Sequence, residues 1–481
     1  MTQKTRWETV IGLEVHAELA TRSKIFCACT TAFGDRPNTH VCPVCAGMPG
    51  TLPVLNRAVV DCALRTALAL QCTVTRHGKF DRKHYFYPDL PKAYQVSQLY
   101  APIGRDGRVD IDTKIIGIHQ IHMEEDAGKL VHDAAGHTQM DYNRCGVPLL
   151  EIVSKPDFRD ADEVRRYLEQ LRETLLFLGV CDGKMQEGSL RVDVNLSVRP
   201  AHTDTLGTRT ETKNLNSFKA ITRAIAYESA RQIEILERGD TVEQETRRWD
   251  DDRGVSFGMR SKENAHDYRY FPEPDLLPLV IDDEWLNTVR ADLPETPRQK
   301  RARYAVLDIT EADAAILTTH PHLSALFESV AEQSGAPVEA AHLITGPIMQ
   351  LMNQTNTPPE ALSPAENAPD AAKLAALIRL MLSEKINRNA YKTTVEAVFL
   401  HDVDPEDYIR QHGLTMHTDT NAIADAVRAA LAENPDTVTE YRAGKNKAFA
   451  FLMGQALKKL GGSGNPGAVK AHLTEAIASS E

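Results

Sequence analysis

Leu190-Arg191-Val192-Asp193-Val194-Asn195-Leu196-Ser197-Val198 alternates apolar and polar residues without a break. Successive side chains on a strand point to opposite faces, so the five apolar residues predict a buried face and Arg191, Asp193 and Asn195 an open one. A polar face of that length can floor a binding site. A second strand is predicted at Thr9-Val10-Ile11-Gly12-Leu13-Glu14-Val15-His16, where Glu14 and His16 also share a face. Strand character recurs over residues 109–123, and helical spacing marks residues 161–180 and 217–238, the second stopped by Gly239. The first 290 residues or so therefore read as mixed α+β.

The pattern changes near Leu293-Pro294-Glu295-Thr296-Pro297, beyond which the chain is rich in Ala, Leu and Glu at helical spacing. Breaks at residues 355–364 and at Asp402-Val403-Asp404-Pro405 interrupt it before a last helical stretch over about 420–480. With 481 residues and 42% hydrophobic content the chain has room for more than one core. A net charge of -12 argues against a general nucleic-acid coat protein, so any RNA contact should sit on a local basic patch. Residues 441–470 supply one: Arg442, Lys445, Lys447, Lys458, Lys459 and Lys470 with no acid, although a solvated helix face explains the charge alone equally well. No window reaches the ~18 apolar residues of a membrane span. The start runs from Met1-Thr2-Gln3-Lys4-Thr5-Arg6 into the first strand without an apolar signal core, so a cytoplasmic protein is expected.

Cys27-Ala28-Cys29 and Cys42-Pro43-Val44-Cys45 are two close thiol pairs joined by a loop containing Gly34 and Pro37. Such pairs can fold back so that Cys27, Cys29, Cys42 and Cys45 meet around a structural Zn²⁺, with His40 as a substitute ligand and buried free thiols or a redox pair as the alternatives. A harder ligand set comes from Glu14, His16, the acids of Ile121-His122-Met123-Glu124-Glu125-Asp126 and Glu151 within Leu149-Leu150-Glu151-Ile152-Val153. A carboxylate inside an apolar strand is costly unless paired or bound to a metal, and Mg²⁺ or ion pairs with Lys79, Arg144 or Lys213 would serve. Residues 79–95, Lys79-Phe80-Asp81-Arg82-Lys83-His84-Tyr85-Phe86-Tyr87-Pro88-Asp89-Leu90-Pro91-Lys92-Ala93-Tyr94-Gln95, interleave cations with rings and are read as a displayed loop able to hold a nucleotide or an RNA end. Gly462-Ser463-Gly464-Asn465-Pro466-Gly467 fits G-x-G-x-x-G, yet a predicted helix precedes it, so it is a helix-ending loop rather than a dinucleotide site.

Several of these motifs, in order, resemble the GatB family, the B subunits of the aspartyl/glutamyl-tRNA(Asn/Gln) amidotransferases. They are Ile11-Gly12-Leu13-Glu14-Val15-His16, the 79–95 run, His122-Met123-Glu124-Glu125-Asp126-Ala127-Gly128-Lys129, Lys213-Asn214-Leu215-Asn216-Ser217-Phe218, Asp267-Tyr268-Arg269-Tyr270-Phe271-Pro272-Glu273-Pro274-Asp275, and Gly444-Lys445-Asn446-Lys447-Ala448 with Gly454-Gln455. The resemblance implies a kinase-like cradle over 1–292, a helical domain over 293–405 and a helical tail over 406–481 that contacts tRNA through Lys445, Lys447, Lys458 and Lys459. It implies an ATP-dependent ligase that phosphorylates the side-chain carboxylate of misacylated Glu-tRNA(Gln) or Asp-tRNA(Asn). Ammonia from a glutaminase partner then displaces the phosphate. By the same resemblance Glu14, His16, Glu125 and Glu151 match Mg²⁺ positions, with Glu124 and Glu211 as secondary matches. Lys79, Tyr85, Glu125 and Lys213 are the expected catalytic residues, and Tyr87, Lys92, Asn195 and Asn214 the expected nucleotide contacts. The chain shows no amidase nucleophile segment and no Cys-His glutaminase pair, so the A (amidase) and C (small) subunits of a heterotrimer are the implied partners. A non-catalytic tRNA-binding module and a different ATP-dependent carboxylate ligase are the rival readings, separated by metal and ATP dependence and by a requirement for aminoacyl-tRNA.

Overall fold

The computed structural model describes residues 6–133, 135–261, 268–362, 369–416, 420–461 and 464–479. Residues 1–5, Asp267, Ser363, Pro364, Gly462, Ser463 and Ser480, which fall within the motifs and segments above, lie outside these. By its internal contacts the chain divides into Met1–Pro297 and Arg298–Glu481.

The first unit is built on a nine-stranded sheet. Its strands in chain order are β1 (Trp7–Glu18), β2 (Thr73–Val74), β3 (Gly104–Asp110), β4 (Ile115–Glu125), β5 (Pro148–Ser154), β6 (Leu190–Pro200), β7 (Thr210–Leu215), β8 (Glu245–Asp250) and β9 (Val255–Ser261). Across the sheet they run β9-β8-β7-β6-β1-β5-β4-β3-β2. All neighbours are antiparallel except β7 and β8, which are joined by the crossover helix α3 (Phe218–Glu237). With α1 (Arg57–Ala69) and α2 (Ala161–Phe177), this helix covers one face of the sheet.

Strict alternation decides which face. In β1, Leu13, Val15 and Ala17 are sealed in the core, and in β6 so are Leu190, Val192, Val194, Leu196 and Val198. The polar set of each strand then points away from the helices. Register aligns these sets, because Gly12 faces Asn195, Glu14 faces Asp193, and His16 lies between Arg191 on β6 and Glu151 on β5.

Two local readings of the sequence change. The strand expected over 109–123 is a hairpin: Asp112 adopts a left-handed φ of 66° and donates its amide to the Asp110 carboxylate at 3.0 Å, turning β3 into β4. The run 79–95 is not one displayed loop. Asp81–His84 and Tyr94–Ser97 pair as strands, with Phe271–Pro272 on the outer side of the first. Local composition hid this, because one oxygen of the buried Asp81 carboxylate accepts from the amides of Leu99 (2.9 Å) and Tyr100 (3.1 Å), while Phe80 packs edge-on against Phe26. Only the tip between the two strands is a loop.

In Arg298–Glu481 the described elements are helical, and Ile386 and Thr415 form an isolated bridge. Two apolar clusters form there, one over residues 304–409 and one over 423–477.

Ile152, fully buried at the centre of β5, touches the register of both β1 and β4. Ile152→Ala is expected to destabilise the sheet unit by about 2–5 kcal/mol. All three tryptophans, Trp7, Trp249 and Trp285, lie in that unit, so urea unfolding followed by tryptophan fluorescence reports it directly.

Candidate functional site

The polar face of the sheet opens into a cleft of about 650 Å³. Its floor is Glu14 and His16 of β1, Glu151 of β5, Glu124 of β4, Arg191 and Asp193 of β6 and Glu211 and Lys213 of β7. Lys83, Tyr85, Tyr87 and Tyr268 form the rim.

The acids gather into two groups. His16, Glu124 and Glu151 can bring one ligand atom each within 4.8 Å of the others, and so can Glu14, Asp193 and Glu211. In the first group His16 Nε2 lies 3.5 Å from Glu124 and 3.4 Å from Glu151. His122, opposite Glu151 in the register, adds a second imidazole: its Nε2 is 2.9 Å from Glu151, and its Nδ1 is buried without a partner among the described residues. Burial alone would depress the His122 pKa, yet the Glu151 and Glu124 carboxylates hold it up at about 10. Burial likewise disfavours the charged Glu151, but the His122 and His16 imidazoles keep its carboxyl well below the usual range.

The second group is more acidic. Lys213 donates to Asp193 and lies 3.2 Å from Glu211, Thr246 donates to Glu211 at 2.9 Å, and Asn195 donates to Glu14 at 3.0 Å. Burial, then the charges of Glu151, Glu211 and Asp193, push the Glu14 carboxyl above its ordinary value. Negative charge therefore exceeds its local cations, and an all-oxygen set of this kind fits a hard divalent ion.

Several expected residues sit elsewhere. Glu125 shares the parity of Ile121 and Met123, so it faces away from the cleft. There it pairs with Lys92 and accepts the Val96 amide at 2.9 Å. Neither Glu125, expected to hold Mg²⁺, nor Lys92, expected to contact nucleotide, lines the cleft; of the two adjacent acids it is Glu124 that does. Lys79 is not in the cleft lining either: its Nζ is 4.0 Å from Asp81 and lies over the Tyr100 ring. Lys83 is the cation delivered to the cleft, over the rings of Tyr268 (4.8 Å) and Tyr85 (5.6 Å). Burial opposes its charge, but Tyr270 and Glu124 raise its pKa above the ordinary lysine value. Its alternation with Arg82 along a polar strand was the signal available in sequence. Asn214, at a left-handed φ of 67°, lines the cleft while its amide donates to Trp249 O at 2.9 Å.

A buried group closes one end of the cleft. Asp126 accepts from Arg191 and lies 3.3 Å from Arg144, and burial together with the Asp126 charge lifts Glu18 to about 8.

Two family models cover this architecture. The GatB/GatE catalytic domain matches residues 9–287 and the GatB domain residues 325–477. The chain is 52% identical over 477 residues to the B subunit of the aspartyl/glutamyl-tRNA(Asn/Gln) amidotransferase of Lachnoclostridium phytofermentans, covering 98% of this chain and 99% of that one. The protein of the same name from Caldicellulosiruptor bescii is 50% identical with the same coverage. That from Thermoanaerobacter pseudethanolicus is 47% identical over 466 residues, 96% of this chain and 97% of that one. The chain belongs to the GatB/GatE family. It is thus one component of a tRNA amidotransferase, within the carbon–nitrogen ligases. The catalytic-domain match spans every cleft residue and the four cysteines, whereas the basic residues of the tail fall within the GatB-domain match.

Outside the cleft, the sulfurs of Cys27, Cys29, Cys42 and Cys45 all lie within 4.8 Å of one another, and those of Cys42 and Cys45 are 3.9 Å apart. Tetrahedral zinc with bonds of about 2.3 Å needs sulfurs about 3.8 Å apart, so the four thiols fit. His40 is engaged with Asp35 at 2.9 Å instead. Of the tail lysines, Lys445 pairs with Glu440 and Lys459 with Glu433, while Lys447 and Lys458 are exposed; no helix among the described residues is long and apolar enough to cross a membrane.

A pH test follows from His122. Its folded pKa is raised from 6.5, so the stability its pairing contributes is complete below about 6.5 and is lost as the pH climbs towards about 10. Chelator-treated protein is expected to lose thermal stability across that window. His122→Asn should flatten the loss, as read by melting temperature against pH.

Proposed function

We propose that this chain activates a tRNA-borne carboxylate with ATP and converts it to an amide. The side-chain carboxylate of a Glu or Asp esterified to the wrong tRNA attacks the γ-phosphorus of ATP, ADP leaves, and an acyl phosphate forms. Ammonia then adds to the acyl carbon, phosphate departs with the C–O bond, and the nitrogen sheds its proton to give Gln-tRNA(Gln) or Asn-tRNA(Asn). A free carboxylate is a poor electrophile and its acyl phosphate a good one, which is why ATP is needed.

The observation that carries this reading is the pair of acidic groups on one polar sheet face beside Lys83. Phosphoryl transfer depends on positioning and on offsetting charge at the transferring group. Glu14, Asp193 and Glu211 would hold Mg²⁺, and His16, Glu124 and Glu151 a second divalent ion, Mg²⁺ or Mn²⁺; bound there, such ions offset phosphate charge. Lys83 and Lys213 would supply fixed positive charge to the cleft, and Tyr85, Tyr87 and Tyr268 would offer rings and hydroxyls to the aminoacyl end. A smaller pocket lined by Val10, Val153, Pro156 and Leu206 adjoins Glu14 and Asn195, and its apolar sides suit a flat base. Asn195, which borders this pocket, and Asn214 and Tyr87, which line the main cleft, are the proposed nucleotide contacts. Lys92 and Glu125 line a separate pocket on the opposite side of β4, so they stand outside the activation step.

The chain would work in the cytoplasm with the A (amidase) and C (small) subunits of a heterotrimer, drawing ammonia from the glutaminase partner. Structural Zn²⁺ would hold Cys27, Cys29, Cys42 and Cys45. The proposed division is a cradle over 1–292, a helical domain over 293–405 and a tail over 406–481, the last two each with its own apolar cluster. Lys445, Lys447, Lys458 and Lys459 would meet backbone phosphates of the tRNA.

Two adjacent acids on opposite strand faces give the test. In the complex reconstituted with both partners, Glu124→Gln is expected to lower ADP formation dependent on misacylated tRNA by about 100-fold, the scale of losing one preorganised electrostatic contact. Glu125→Gln should leave that step near the parental rate. The opposite ranking would move activation to the Lys92 side of the strand.

A further inference from the structure

Lys24 is fully buried, and among the described residues no carboxylate lies within 4.0 Å of its ammonium. An unpaired buried ammonium is costly, so its surroundings must supply compensation. Its Nζ donates to His40 O at 2.7 Å and Tyr142 O at 3.4 Å, and the remaining contact is the Cys45 sulfur at 3.7 Å. The backbone wraps the same point: the Lys24 amide donates to Cys29 O at 2.9 Å, and the Cys42 amide donates to the Cys45 sulfur at 3.2 Å. A sulfur beside a buried cation and an amide N–H is in surroundings that favour a thiolate.

We propose that Lys24 is the built-in counter-charge of the four-cysteine metal site. Four thiolates around a divalent zinc carry a net charge of minus two, and the Lys24 ammonium offsets one unit of it while orienting Cys45. This rests on the zinc reading above and goes beyond it, since it assigns a metal-tuning role to a residue that is not a ligand. Its carbonyl contacts make Lys24 a link as well. His40 lies in the loop between the cysteine pairs, and Tyr142 lies two residues before Arg144, which reaches Asp126 at the cleft.

The test uses the full chain and two variants. Lys24→Met removes charge and donor; Lys24→Gln removes charge but keeps a donor for the carbonyls. Competition against a chromophoric chelator is expected to show zinc bound about 10- to 100-fold more weakly in both, the usual scale for losing a partner beyond the ligands. The cobalt-substituted variants should show a thiolate-to-metal charge-transfer band at lower energy, because the sulfur lone pairs lose a stabilising cation. A role confined to tying loops together would leave that band unmoved in Lys24→Gln. Equal zinc affinity and an unshifted band in both variants would overturn the proposal. Wild-type protein that binds neither zinc nor cobalt would overturn the zinc reading itself and this proposal with it, a result distinct from the first. Amine acetylation of the wild-type chain covers the case in which neither variant folds. Lys24 should be protected when zinc is bound and become modified once a chelator removes it, and equal protection in both states counts against the link.

Discussion

Hydrogen bonding holds β1 between β5 and β6, and that register governs the rest of the catalytic unit. Leu13, Val15 and Ala17 are sealed on one face, so Glu14 and His16 must emerge on the other. A slip of one residue would put both into the apolar core and Val15 into solvent, an exchange the core strongly disfavours. The same constraint acts on each neighbour: Glu151 on β5, Asp193 on β6 and Glu124 on β4 reach the cleft because the adjacent residues on those strands are anchored opposite.

Concentrating so many acids on one face raises electrostatic cost, and the surrounding fold limits it unevenly. Around Glu151 two imidazoles compensate, and around Asp126 two guanidinium groups do. Around Glu14 the answering groups among the described residues are Lys213 and the Asn195 amide, and burial with the neighbouring acids pushes its carboxyl above the ordinary value. That imbalance is the physical argument for cations arriving with the substrate, and it distinguishes the cleft from an ordinary ion-pair network. Lys83 and Lys213 both line the cleft, so a phosphoryl group held there would meet positive charge from each.

Much of this was legible in the sequence, because it follows from period-two alternation. The polar face of β6, the pairing of Glu14 with His16 and the four-cysteine set all come from spacing alone, and the α+β unit followed by helices comes from composition. The residues placed away from the cleft share a physical reason. Glu124 and Glu125 are chemically equivalent neighbours, and only the pleat of β4, fixed by the burial of Ile121 and Met123, separates cleft from core side. Lys79 lies just before the short strand Asp81–His84 that carries Lys83, a strand whose polar composition masks it. Pairings between distant strands, such as His122 with Glu151 or Thr246 with Glu211, leave no local trace, since they depend on register set elsewhere. Lys24 was invisible for a related reason: its partners are a thiol and two carbonyls brought in from separate loops.

The central claim is that a divalent ion held by His16, Glu124 and Glu151 in the acidic cleft would meet the phosphates of the nucleotide. Pulsed electron paramagnetic resonance of the full chain with Mn²⁺ and ATP tests it in one measurement. The account predicts that a single Mn²⁺ population shows both nitrogen coupling from an imidazole and phosphorus coupling from ATP, with the nitrogen coupling reduced in His16→Asn. Phosphorus coupling without any nitrogen coupling in the wild-type chain would contradict it.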